Sequence, residues 1–236
     1  MIAKAKSISH GINDISYITG ESRNKKHPER IFHVKDNLLP PGLDATGIWD
    51  SMRLTLDKFK KIKNSVIRIE VSPAPEHTKD FTITDWEKLW DEFMDEFDNI
   101  ELYDKNGRTY SPKTNLTGSK GTVRLHLESK SGIPHLHGAF CRIDERGNIN
   151  NDHDIHLRAQ RAAERVALKR GWTCSTMNLT TGRQPTAVTL RTWQWLSLSG
   201  CSMFRQSLPK AEAVPATFPG GVRTRMTGRK PKTGLK

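Results

Sequence analysis

The chain has 236 residues, enough for one large domain or two small ones around a buried core. Its 38 Lys and Arg outnumber 26 Asp and Glu for a net charge of +12, which favours a polyanionic partner, nucleic acid ahead of an acidic membrane surface, over a basic surface kept only for solubility. No stretch approaches the ~20 apolar residues of a membrane span, and the start "MIAKAKSISHG" lacks the apolar core of a signal peptide, so neither membrane insertion nor secretion is expected.

In chain order, residues 1–9, "MIAKAKSIS", read as a strand that ends before Gly11. A short helix follows over "NDISYITG", with Asn13 or Asp14 as its cap and Gly20 as its stop. Residues 21–43 are polar and then rich in Pro and Gly, and read as a loop. From Asp44 to Ile62, Trp49, Met52, Leu56 and Phe59 recur at helical spacing. "SVIRIEVSP" alternates Ile67, Ile69 and Val71 against Arg68, Glu70 and Ser72, a strand that Pro73 ends.

The clearest helix is "TDWEKLWDEFMDEF". Thr84 and Glu87 form a capping-box pattern there, and Trp86, Leu89, Trp90, Phe93, Met94 and Phe97 make one core-facing stripe. Tyr103 and Tyr110 flank "DKNG", a turn signal. Residues 122–128 and 135–143 read as two strands around a turn, and a helix from Asp154 to Arg170 closes at Gly171. Beyond Trp172 the composition changes. Between Thr173 and Lys236 the only acidic residue is Glu212, and "GGVRTRMTGRKPKTGLK" reads as a disordered basic tail. Cys141, Cys174 and Cys201 lie far apart and form no C-x-x-C, as expected of a reduced, cytoplasmic protein without a cysteine-bound zinc.

The chemistry concentrates in "GIPHLHGAF". His135 and His137 share one face of a strand, about 7 Å apart by the two-residue repeat. In "TVRLHLE", Arg124, His126 and Glu128 face opposite to Val123, Leu125 and Leu127. Antiparallel pairing of the two strands sets His126 beside His135 and His137. Three converging imidazoles hold one divalent cation and leave positions open for substrate and water. A lone His-x-His is common by chance; the third histidine, correctly phased, gives the pattern its weight. Glu128 either orients an imidazole from behind the ligand or pairs with Arg124 or a surface lysine. His153 and His156 lie at a helix start, where capping or solvation explains them.

A metal site in a basic protein suggests phosphate chemistry, which still needs a nucleophile. The three tyrosines, Tyr17, Tyr103 and Tyr110, all precede the histidines. On the helix after the histidines, Arg158, Arg161, Arg165 and Lys169 lie opposite Ala159, Ala162, Ala163 and Val166. That stripe is either a DNA-backbone contact or a plain solvated face.

Taken together, the "MIAK" strand, the tyrosine in "YITGE", the "VSP" segment, the "TDWEKLWDEF" helix and the "HLESKSGIPHLHGAF" block resemble the relaxase/mobilisation nuclease family. These are tyrosine relaxases of the His-hydrophobic-His endonuclease superfamily, and the resemblance is to the P-type mobilisation relaxases. It covers residues 1–172, the implied nuclease domain. The resemblance implies an α+β fold, a central antiparallel sheet flanked by helices. It also implies His126, His135 and His137 as ligands of Mn²⁺ or Mg²⁺, and Tyr17 as the nucleophile that nicks single-stranded DNA at a transfer origin. The product would be a 5′-phosphotyrosine with a free 3′-hydroxyl, and partners would be an accessory mobilisation protein and a coupling ATPase.

Residues 173–236 depart from the family's usual charge-mixed continuation, as a truncated or frame-altered end would. A rolling-circle replication initiator of the same superfamily places its tyrosine after the histidine pair, where this chain has none. A non-catalytic DNA-binding accessory protein, or an inactive truncated relaxase, has the same charge and differs in the fate of Tyr17 and the histidines. A cupin-like metalloenzyme lacks support because no glycine-flanked barrel pattern is present.

Overall fold

The computed structural model describes residues 1–23, 26–59, 61–127 and 132–172. Glu128, Cys174, Cys201 and the whole 173–236 segment, with its basic tail, lie outside the described residues.

In chain order the elements are β1 (Ile2–Ile8), α1 (Gly11–Thr19), β2 (Ile31–Asn37), α2 (Ala45–Leu56), β3 (Val66–Ser72), α3 (Ile83–Asn99), β4 (Leu102–Tyr103), β5 (Thr109–Ser111), β6 (Ser119–His126), β7 (His135–Asp144) and α4 (Ile155–Lys169). Five strands form one sheet in the order β1-β3-β7-β6-β2, and every pairing in it is antiparallel. β4 and β5 make a separate hairpin around the "DKNG" turn. The fold is α+β, an antiparallel sheet with helices on both faces. Among the described residues no helix is long and apolar enough to cross a membrane.

Strand alternation sends each sheet face to a different helix pair. On one face, Ala3, Ala5, Ile67, Ile69, Val71, Val123, Leu125, Leu136 and Phe140 pack against the stripes of α3 and α4. At Gly138 the α3 side comes so close that a Cβ would sit 2.4 Å from the Trp90 ring, so only glycine fits. On the other face, Val66, Ala139, Cys141 and Ile143 pack under Ile15 and Ile18 of α1 and Ala45, Ile48 and Met52 of α2. The second face carries the histidines.

Several boundaries differ from the sequence expectations. α3 begins two residues early: Thr82 is its cap, and Thr82 and Asp85, not Thr84 and Glu87, close the capping box. α1 begins at Gly11 with His10 at its cap position, so Asn13 and Asp14 lie inside the helix, while Gly20 ends it at φ 88° as expected. The 21–43 loop contains β2, an edge strand with a register shift between His33 and Lys35. That shift and its single fully buried residue, Val34, blur the alternation that marks a strand.

Candidate metal and nucleophile site

The β6–β7 hairpin fixes the histidines by register. His126 lies directly across from His135, and His137 follows two residues on. Their ring centroids are 4.3 Å (His126–His137), 4.7 Å (His135–His137) and 5.6 Å (His126–His135) apart. One ring nitrogen from each lies within 4.8 Å of the others, the spacing of ligands around one ion. His126 and His137 are 0% and 2% exposed, and His135 is partly open at the rim.

The surroundings of the rings suit a metal. His126 Nε2 is 2.8 Å from the Ile18 carbonyl, which can only accept, so Nε2 carries the hydrogen and Nδ1 keeps its lone pair. His135 Nδ1 is 3.0 Å from the Ile133 carbonyl, which by the same logic puts the hydrogen on Nδ1 and leaves Nε2 with its lone pair. Glu70 Oε1 lies 3.8 Å from His137 Nδ1 and favours a proton there, which leaves Nε2 basic. His126 and His135 thus each have a carbonyl acceptor behind one nitrogen, the arrangement that orients metal-binding histidines, and Glu70 stands near His137. Nitrogen donors without a thiolate fit a borderline or hard divalent ion.

The Ile18 carbonyl also ties α1 to this hairpin, and the preceding residue is Tyr17. The Tyr17 ring lies 5.9 Å from both His126 and His137, and 37% of the residue is exposed. Beneath it, the Arg68 guanidinium sits 5.3 Å from the ring centroid, in cation–π contact. Arg68 donates to Asp14 at 2.9 Å and to Glu70. Burial pushes the Asp14 carboxyl up from its ordinary value, against the pull of Arg68 and Lys6.

Two solved structures are similar to this chain. One is the MobM relaxase domain (MOBV; Mob_Pre) with Mn, bound to plasmid pMV158 oriT DNA, at TM-score 0.47 and 12% identity over 82% of this chain and 97% of that one. The other is the conjugative relaxase TrwC in a metal-bound complex with oriT DNA, at TM-score 0.40 and 10% identity over 88% and 87%. Both are relaxases, yet at this distance neither likeness carries a role across to this chain. No protein-family model and no curated protein matches it.

The structure thus brings Tyr17, His126, His135 and His137 together. It does not bring the α4 cations there. α4 packs on the opposite sheet face, beside α3. Arg165 and Lys169 pair with Glu96 at 3.2 and 2.5 Å, and Arg161 lies on the same helix. Arg158 corrects the expectation outright. It is 0% exposed and donates to the Phe97, Ile100, Ser111 and Pro112 carbonyls, tying α4 to the end of α3 and to β5. A guanidinium buried this fully presents nothing to a DNA backbone.

Four charged residues at or beside the site were not singled out by the sequence. Register runs a row across the sheet from Lys4 through Glu70, His137 and Arg124 to His33, and a second from Lys6 through Arg68, Ala139 and Thr122 to Asp36. Arg68 and Glu70 alternate outward on the "VIRIEVS" strand, the signal that could have found them. Asp14 stands one helical turn before Tyr17, where it read as a cap. Arg124 had been a candidate partner for Glu128; it bonds Asp36 at 3.0 Å and the Thr122 hydroxyl at 2.5 Å.

Proposed function

We propose that this chain is a metal-dependent DNA relaxase that nicks and rejoins single-stranded DNA at a transfer origin through Tyr17. The observation that carries this is one cluster: three imidazoles spaced for a single ion, with an accessible tyrosine ring 5.9 Å from two of them. His126, His135 and His137 would hold Mn²⁺ or Mg²⁺. When bound, the ion supplies a positive centre that polarises the scissile phosphate.

The chain's own residues do the rest. Tyr17 Oη attacks phosphorus, the P–O3′ bond breaks, and the departing 3′ oxygen takes up the proton that the phenol gives up. One phosphoester replaces another, so attack by the 3′-hydroxyl restores the strand and the tyrosine at little net cost. A phenol with an ordinary pKa near 10 is a weak nucleophile at neutral pH, and nearby positive charge assists its deprotonation. Arg68 lies in cation–π contact with the ring, and Asp14 and Glu70 hold the guanidinium there. Residues 1–172 would form the nuclease domain, with Glu128 behind a ligand. Arg161, Arg165 and Lys169 would serve only DNA that reaches the far face. Action in the cytoplasm, with an accessory mobilisation protein and a coupling ATPase, follows from the family resemblance.

The test is a 3′-labelled random-sequence single-stranded DNA pool, incubated with the full chain and Mn²⁺ or Mg²⁺ and run on a denaturing gel. A metal-dependent covalent protein–DNA band that disappears in Tyr17→Phe and His137→Ala is expected. A band that persists in Tyr17→Phe overturns the tyrosine as nucleophile. DNA binding with no band in the unsubstituted chain overturns the enzyme in favour of a non-catalytic accessory protein.

A further inference from the structure

α1 has nine residues, too few to persist as a helix alone, so its shape depends on what it docks against. Ile15 and Ile18 are its large buried side chains, and they pack with Ile48 and Met52 of α2. Two polar anchors tie the helix to the sheet. Asp14 accepts from Arg68 of β3 at 2.9 Å, in a pair whose side chains are 10% and 17% exposed. One turn further on, the Ile18 carbonyl accepts from His126 Nε2 at 2.8 Å. Ile18 lies in the last turn of α1, where carbonyls have no partner within the helix, so this one is open to the sheet.

Both anchors lead to the histidine cluster. The second ends on His126 itself. The first continues through Arg68, which also donates to Glu70, and Glu70 Oε1 lies 3.8 Å from His137 Nδ1. Asp14 and Tyr17 stand three residues apart, on one side of the helix, and Arg68 meets both, the carboxylate by a hydrogen bond and the ring by a cation–π contact. Groups that hold a metal-binding imidazole from behind change metal affinity 10–100-fold when they are lost. Here one of those groups belongs to the helix that carries the tyrosine.

We propose that the seating of α1 and the filling of the histidine cluster by a divalent cation are one coupled event, with Arg68 as the positioning residue and Asp14 as its counterpart on the helix. A docked α1 holds His126 by Nε2 and leaves Nδ1 for the ion; an undocked one withdraws the Ile18 carbonyl and lets the imidazole turn. By linkage, whatever factor docking adds to metal affinity, the ion adds to docking. The ion thereby fixes Tyr17 in place through the protein, before any substrate arrives. The inference rests on the metal half of the relaxase reading and adds how that site is regulated.

The test is a Mn²⁺ titration of the full chain without DNA, with free Mn²⁺ read by electron paramagnetic resonance, beside amide hydrogen exchange over Gly11–Thr19. Asp14 is the informative position, because its bond is to Arg68 and not to a histidine. Asp14→Ala is expected to weaken Mn²⁺ binding roughly tenfold, and Asp14→Asn, which keeps an acceptor toward Arg68, roughly threefold. Saturating Mn²⁺ is expected to slow exchange in α1 of the unsubstituted chain and to leave α3 as it was. Should Asp14→Ala quicken exchange in α3 as well as α1, its fold is lost and Asp14→Asn decides alone. Mn²⁺ affinities that agree within about twofold overturn the coupling, as does α1 exchange that ignores Mn²⁺. If a metal-dependent covalent band accompanies either result, the coupling falls and the nuclease stands. Graded Mn²⁺ affinities without any covalent band do the reverse. A chain that binds no Mn²⁺ overturns the coupling and the metal half of the reading together.

Discussion

Arg158→Leu separates a structural arginine from a DNA-contacting one. Leucine fills much of the volume and donates nothing, so the carbonyls of Phe97, Ile100, Ser111 and Pro112 lose their donor inside the protein. At ~1 kcal/mol for each buried acceptor left unpaired, the loss over those carbonyls is about 4 kcal/mol. Removing a buried charge, whose burial itself opposes folding, offsets ~1–2 kcal/mol of that. A net loss of about 2–3 kcal/mol corresponds to a fall in melting midpoint of roughly 5–10 °C for a chain of this size. The assay is a thermal melt by circular dichroism, beside single-stranded DNA affinity measured well below the variant's midpoint. A lower midpoint with unchanged affinity is expected. A variant that melts with the unsubstituted chain and binds DNA an order of magnitude more weakly would refute the burial argument and return Arg158 to the DNA surface.

Addition of Mn²⁺ is expected to raise the melting midpoint and EDTA to reverse the rise, with the effect lost in His135→Ala; an equal rise in that variant would place the ion elsewhere. Gly138→Ala puts a methyl into the Trp90 ring and should cost about 1–3 kcal/mol in urea unfolding, whereas a neutral result would mean α3 can lift away from the sheet. Burial raises the Asp36 carboxyl, but bonds from Thr122, Arg124 and His33 outweigh it and hold its pKa below the ordinary 3.8. A depressed folded-state pKa contributes stability that is present above the unfolded value and lost as the pH falls through the folded one, so acid below about pH 4 should erode it. Asp36→Asn should flatten that part of the stability–pH curve, and an unchanged curve would count against the pair with Arg124.

The histidine cluster was legible because strand alternation is a strict period of two. Once Val123 and Leu125 are assigned to the core, His126 must face the other way, and His135 and His137 follow on the partner strand. The stripe of α3 was legible for the same reason at a period near four. What escaped depends on tertiary pairing. Arg158 follows the hydrophobic face of its helix only because that face meets the open carbonyls at the end of α3, and no pattern within α4 announces them. Asp14 and Arg68 come from positions 54 residues apart, brought together when β1 and β3 pair and α1 folds over them. β2 was missed because a strand at the sheet edge buries little and a register shift breaks its rhythm.

The tether between His126 and Ile18 spans 108 positions of chain, whereas the three histidines come from a single hairpin. Loop closure grows costlier with separation, so bringing the three histidines together costs less chain entropy than bringing Tyr17 to them. A chain whose α1 has not docked, or has frayed away, still holds the three histidines together while Tyr17 stands apart from them. On the proposed reading, undocking of that one short helix would leave the histidine cluster intact and without its tyrosine.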